Sequence, residues 1–257
     1  MRCFSKNILL IVFTVCVVHL SAQSTVTLHF NNVVDGNNLV LDSGKYTNAA
    51  GEQFSVSLLQ YFISNIQFTT ADGKQYTVVQ DSCYFFIQQS DSASQYCTVY
   101  VPAGNYTAVN FIVGVDSVRC TSNISKRRGV LDPSATDMYW GWNSGYIFLK
   151  MEGFSSSAPQ DAAGLNKFRY HIGGFGGFKS PTINNIKTIQ LAFPQNEILN
   201  TTNTHHSTIE INADIMKLFN GSTSLSIAAH PSVMFDPYSK TIADNYANMF
   251  SVLAIQN

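Results

Sequence analysis

Runs of β-branched and aromatic residues, each closed by a turn signal, constrain this chain most. Val26–Phe30 precedes Asp35-Gly36, and the long apolar run Gln53–Gln67 is closed by Ala71-Asp72-Gly73. Gln75–Val79, Cys83–Gln88, Cys97–Val101 and Ala108–Val113 follow. Tyr146–Glu152, Phe168–Ile172, Thr188–Ala192 and the alternating Ser207–Ile211 continue the series. Such side chains suit a pleated, half-buried surface, and Gly and Asp between them favour tight turns. Helical periodicity is scarce. Ala213–Phe219 predicts one short helix between Asn212 and the stop Asn220-Gly221. Thr241–Phe250 predicts another, with Ile242, Tyr246, Met249 and Phe250 on one face. The pattern predicts an all-β fold: an antiparallel β-sandwich with long loops and one or two short helices.

Residues 1–23 read as a secretory signal. Arg2 and Lys6 precede an apolar run from Ile8 to Leu20, and Ser21-Ala22-Gln23 offers small residues for cleavage. The run is shorter than the roughly 20 residues a spanning helix needs. No later segment is apolar enough to cross a membrane. Residues 24–257 then form a single domain with enough chain for a full core. Losing Arg2 and Lys6 lowers 15 basic residues to 13 against 16 acidic ones, a net charge near −3. Such a chain carries no electrostatic footprint for nucleic acid or an anionic membrane. The expected location is the periplasm or the exterior.

Three cysteines, Cys83, Cys97 and Cys120, follow the signal. Export favours one disulfide among them. Cys83 and Cys97 lie on segments that look like the two arms of a hairpin around Gln88–Gln95, so this pair is preferred. Cys120 is then a buried free thiol. Two long loops stand out, Cys120–Met138 and Glu152–Lys167, and loops of that length often carry function. Lys126-Arg127-Arg128 in the first of them reads as a solvated loop.

No hydrolase elbow surrounds Ser144, and no zinc or phosphate-loop motif is present. The Gly173–Gly177 run reads as a flexible turn or a close approach of backbones. An enzyme is not expected. Metal binding is the better chemical lead. The histidines beyond the signal are His29, His171, His205, His206 and His230, and imidazole suits copper, zinc and nickel. His171 ends an aromatic strand at a glycine loop, where a ring can be held rigidly, and is the best ligand candidate. The others read as strand or loop residues facing solvent.

Both tryptophans, Trp140 and Trp142, stand two residues apart in Asp137–Gly153. In a strand they share one face, and Tyr146 and Phe148 continue the parity. They form either a core anchor or an exposed, oxidisable aromatic site. Tyr139-Trp140-x-Trp142-Asn143-Ser144-Gly145-Tyr146-Ile147, ending in Glu152-Gly153, resembles the tryptophan-rich signature of the methanobactin-associated periplasmic copper-binding (MbnP-like) proteins. Tyr61-Phe62-Ile63-Ser64-Asn65-Ile66, Gly114-Val115-Asp116-Ser117 with Leu131-Asp132-Pro133, and Tyr170-His171-Ile172-Gly173-Gly174 match further segments in the same order.

The resemblance implies a β-rich exported domain that binds copper, with a tryptophan oxidised to kynurenine near the metal. It also implies a dihaem peroxidase-like protein as the partner in that oxidation. Carried onto this chain, His171 matches a ligand, and Trp140 or Trp142 matches the oxidisable residue. A second ligand would come from His29, His205, His206 or His230, with His29 preferred. The expected function is an exported copper-binding protein for copper acquisition or storage. The alternative is a metal-free structural or adhesion-type β-sandwich binding module.

Overall fold

The computed structural model describes residues 23–142, 145–194, 197–201 and 206–257. The expected signal lies outside them, apart from its last residue. Two sheets make the fold. In the smaller, Gln23–Val34 is central, flanked by His206–Asp214 on one side and by Tyr96–Pro102 and Asn37–Asn38 on the other. Phe250–Gln256 extends it beyond His206–Asp214. In the larger, the main path runs Lys187–Ala192, Gly104–Val113, Gln53–Thr70, Gly145–Phe154, Lys167–Gly173 and Ser232–Val233. Shorter strands add to it, among them Tyr84–Gln88 on Gln53–Thr70 and Tyr139–Trp140 on Gly145–Phe154.

The all-β expectation holds, and each strand-like run lies on or beside a strand. The pairing is not wholly antiparallel, however. Gln23–Val34 and His206–Asp214 run parallel, as do Lys167–Gly173 and Ser232–Val233. Strands so far apart in sequence are not joined by tight turns, so antiparallel geometry is not imposed on them. Both expected helices form, shorter than their periodicity suggested, as Met216–Phe219 and Ser239–Tyr246. Ala213 stays in its strand because it is paired on both sides, with Asn32 and with Phe250, and the helix begins only at Met216. A third helix, Ser117–Thr121, opens the long loop, capped by Asp116 accepting from the Arg119 amide at 2.9 Å.

The facing sheets bury a first core in which Phe30 meets Phe111 (5.5 Å, 83°) and Phe250 (6.1 Å, 89°) edge to face. A second, smaller core lies on the opposite face of the larger sheet. There Phe62, Val115, Cys120, Leu131, Tyr146 and Phe148 are buried beneath the 115–142 segment. Gln53–Thr70 serves both: Tyr61 and Ile63 face the first core and Phe62 the second. A strand covered on both faces reads as an unbroken apolar run, which is why Gln53–Gln67 stood out.

The expected Cys83–Cys97 disulfide does not form. Cys83, Cys97 and Cys120 are all buried free thiols. The hairpin behind that expectation is absent, because Tyr84–Gln88 pairs with Gln53–Thr70 in the larger sheet while Tyr96–Pro102 pairs with Gln23–Val34 in the smaller. The chain crosses from one sheet to the other over 89–95. Cys83 Sγ donates to the Gln80 carbonyl at 3.3 Å and Cys120 Sγ to the Val115 carbonyl at 3.4 Å. Burial pushes the Cys120 thiol up to about 12.

Candidate functional site: an imidazole beside a tryptophan stack

The tryptophan segment is a hairpin rather than one strand. Tyr139–Trp140 pairs with Gly145–Tyr146, and the Ile147 amide donates to the Met138 carbonyl at 2.8 Å. Asn143 and Ser144 lie outside the described residues. The two indoles still meet, stacked at 5.3 Å and 28°. Because the chain reverses, Tyr146 and Phe148 do not extend the stack. Both are buried in the second core, where Tyr146 meets Tyr139 at 5.1 Å. Trp142 is 56% exposed and Trp140 is half-buried. Phe235 stands edge-on to both indoles, at 5.5 Å from Trp142 and 6.5 Å from Trp140.

Trp140 also covers the end of the Lys167–Gly173 strand. A Cβ on Gly173 would lie 3.0 Å from its Cζ3, so the missing side chain admits the indole. The next residue, Gly174, has φ +112° and a notional Cβ 2.8 Å from the Ile183 carbonyl. Of the two readings of the glycine run, close backbone approach is the one observed here.

His171 precedes Gly173 by two residues and therefore shares its face of the strand, about 7 Å along it. Tyr170 and Ile172 point the other way, into the first core. His171 Nε2 bonds Glu152 Oε1 at 2.7 Å, and Lys167 Nζ lies 2.5 Å from Glu152 Oε2. Burial holds the imidazole below its ordinary pKa, against the opposing pull of Glu152. Burial alone would raise Glu152, but the Lys167 and His171 contacts outweigh it and leave the carboxyl below its usual range. Glu152 orients the imidazole through Nε2, and Nδ1 has no protein partner among the described residues, which leaves one ring nitrogen open to a further donor, acceptor or metal. Lys150, which faces His171 across the ladder, pairs with Asp137.

The preferred second ligand, His29, is not brought near. It lies between core residues Leu28 and Phe30 and so projects from the outer face of the smaller sheet. His171 projects from the outer face of the larger. Packed sheets stand about 10 Å apart, and both rings point away from the core between them. The two cannot share one ion. His29 Nδ1 bonds Glu210 Oε2 at 2.7 Å, and its ring stacks on Tyr96 at 4.0 Å and 7°. His206, on the same smaller sheet, bonds Thr27 Oγ1 at 3.1 Å. His230 stacks on Tyr238 at 3.5 Å, and His205 lies outside the described residues. Among the described residues no three His, Cys, Asp or Glu side chains gather as a metal group.

Two features escaped sequence reasoning. Phe235 carries no motif and reaches the indoles only because Ser232–Val233 pairs alongside Arg169-Tyr170. Arg127, taken as solvated, is buried: Nη2 donates to the carbonyls of Cys120 (2.7 Å) and Ser122 (2.9 Å), and the guanidinium lies over Tyr139 and Tyr146. A basic triplet in a loop gives no periodic signal that its middle member turns inward.

A search of curated proteins gives no match. Among solved structures, MbnP from Methylosinus trichosporium superposes with a TM-score of 0.61 at 16% identity, over 90% of this chain and 99% of that one. At that identity the likeness shows a shared fold. The profile of the MbnP family matches residues 23–235, most of the chain, and on that match the protein belongs to the MbnP family.

Proposed function

We propose that the protein is an exported copper-binding protein that serves copper acquisition or storage and is not an enzyme. The observation that carries this is the placement of His171 on the face covered by Trp140, with Glu152 holding its Nε2 at 2.7 Å. His171 would bind copper through Nδ1, and imidazole is a favoured copper donor. Copper, when bound, supplies redox chemistry beside an indole. Glu152 fixes the ring's orientation, and the Trp140–Trp142 stack provides the oxidisable aromatic, with Trp142 the more open to a dihaem peroxidase-like partner. One protein nitrogen is a partial donor set. His29, on the outer face of the other sheet, is not its complement.

The test is metal analysis and intact mass of protein exported by its native host, with peptide mapping of residues 137–153. Bound copper that disappears in His171→Ala, together with a tryptophan-to-kynurenine mass change at Trp140 or Trp142, is the expected result. No copper and two intact tryptophans would overturn it. That outcome would leave the second reading, a metal-free binding module, which the absence of a three-donor group among the described residues favours.

A further inference from the structure

We propose that Lys150 is a positioning residue for the tryptophan stack: through Asp137 it clamps the segment that carries both indoles onto the face that holds His171. Lys150 sits midway along Gly145–Phe154, paired with His171 on one side and with Gln60 on the other. Its neighbours Leu149 and Met151 enter the first core. Lys150 therefore shares the outer face with Tyr146, Phe148 and Glu152. Tyr146 and Phe148 lie under the 115–142 segment, while Glu152 holds the imidazole. Lys150 thus stands at the rim of that cover, between the second core and His171.

Its side chain is only 9% exposed, and lysine is seldom so covered unless it is paired. The ammonium bonds Asp137 Oδ2, its only partner among the described residues. Asp137 is 67% exposed and reaches in from the covering segment, three residues before Trp140. The pair is lopsided. Water meets the carboxylate if the contact breaks, but the covered ammonium is left without a counter-ion. Such a charge is satisfied only while the segment that supplies its partner stays down.

The segment has little slack between this clamp and the first indole. Met138, next to Asp137, is fully buried, and its carbonyl accepts the Ile147 amide at 2.8 Å. Tyr139–Trp140 follow at once, pair with Gly145–Tyr146, and place Trp140 over Gly173. Trp142 stacks on Trp140 in turn. The residue that faces His171 across the ladder therefore also fixes where the indoles lie.

The experiment begins with the full exported chain free of metal, by exciton circular dichroism of the stacked indoles, tryptophan emission and thermal unfolding. Asp137→Ala and Lys150→Met should each weaken the coupled indole band and red-shift the emission, and Asp137→Glu should keep both. Lys150→Met separates positioning from plain stabilisation. Methionine covers the same surface without a buried charge, so the unfolding midpoint should hold or rise while the indole signal falls. An unchanged indole band in both variants, a loss of signal that only tracks a fallen midpoint, or failure of Asp137→Glu to keep the band would overturn the proposal. The last arm rests on the copper reading: in a competition titration Lys150→Met should bind copper about tenfold more weakly, the low end of the effect of losing a supporting residue. Wild-type affinity in that variant would remove the clamp's part in the metal site. A wild-type chain that binds no copper would sink the copper reading alone, because the indole signals still decide the clamp.

Discussion

The two sheets each carry a histidine held by a glutamate on the outer face, and the surroundings make them different objects. His29 bonds Glu210 and His171 bonds Glu152, both at 2.7 Å, and the two rings are similarly covered. At that level the pairs are interchangeable. His29, however, has Tyr96 laid flat over one face of its ring at 4.0 Å. His171 lies in the row that ends under Trp140, beside the second core, and burial shifts its pKa down. The same pair of side chains is a sheet-surface clasp in one place and a ligand candidate in the other. What differs is what the neighbouring strands bring alongside.

The sharpest way to break this comparison is substitution of the two histidines. His171→Ala should abolish copper binding, and His29→Ala should leave it intact, as metal analysis of the purified variants will read. Equal losses would erase the distinction between the faces.

Next in size is a carboxylate that serves no imidazole. Glu52 accepts from Asn48 Nδ2 (2.8 Å), Ser226 Oγ (2.7 Å), and the amides of Ile227 (2.6 Å) and Ala228 (2.9 Å). It ties the turn before Gln53–Thr70 to the segment after Met216–Phe219. Glu52→Ala should cost about 3 kcal/mol or more, because it strands several buried donors. Denaturant unfolding measures this. Desolvation would raise the Glu52 pKa, but these four hydrogen bonds outweigh it and the net shift is downward. A depressed carboxyl pKa contributes stability that is complete above the unfolded value, about 4.3, and lost as pH falls below it and through the lower folded value. Glu52→Gln should therefore flatten the acid limb of the stability profile.

Smaller, and aimed directly at the two faces, is loss of the orienting carboxylate. Glu152→Gln should weaken copper binding about 10- to 100-fold, the usual effect of removing a ligand's supporting partner. Glu210→Gln should leave it unchanged in a competition titration. The smallest effect expected is on stability at the exposed indole. Trp142→Ala should change unfolding free energy by about 1 kcal/mol or less, whereas half-buried Trp140, wedged over Gly173, should cost more. Reversal of that order would mean that the stack is anchored from its outer member.

The strands were legible because each is a short apolar statement in its own residues. Gln53–Thr70 was the clearest, since burial on both faces leaves no polar alternation to blur it. His171 and the tryptophan pair were legible as motifs, and the indoles stack although the reason given, a shared strand, is not how they meet. The Cys83–Cys97 pairing failed at the step from local pattern to partner. Two adjacent strand-like runs suggest a hairpin, but the chain carries them into different sheets. Arg127 and Phe235 were invisible for the same reason: their neighbours lie on segments whose approach no local pattern announces.

By itself, then, the sequence determined the all-β class and the position of most of the longer strands, though not of Phe250–Gln256. Those properties depend on neighbours a few residues away, through alternation, branching and turn-forming side chains. Only the tertiary structure decided that His29 and His171 face opposite sides, that Trp140 covers Gly173, and that Arg127 turns inward. Those outcomes depend on which sheet each strand joins and in what register, and they are set by long-range burial of apolar faces rather than by any local preference.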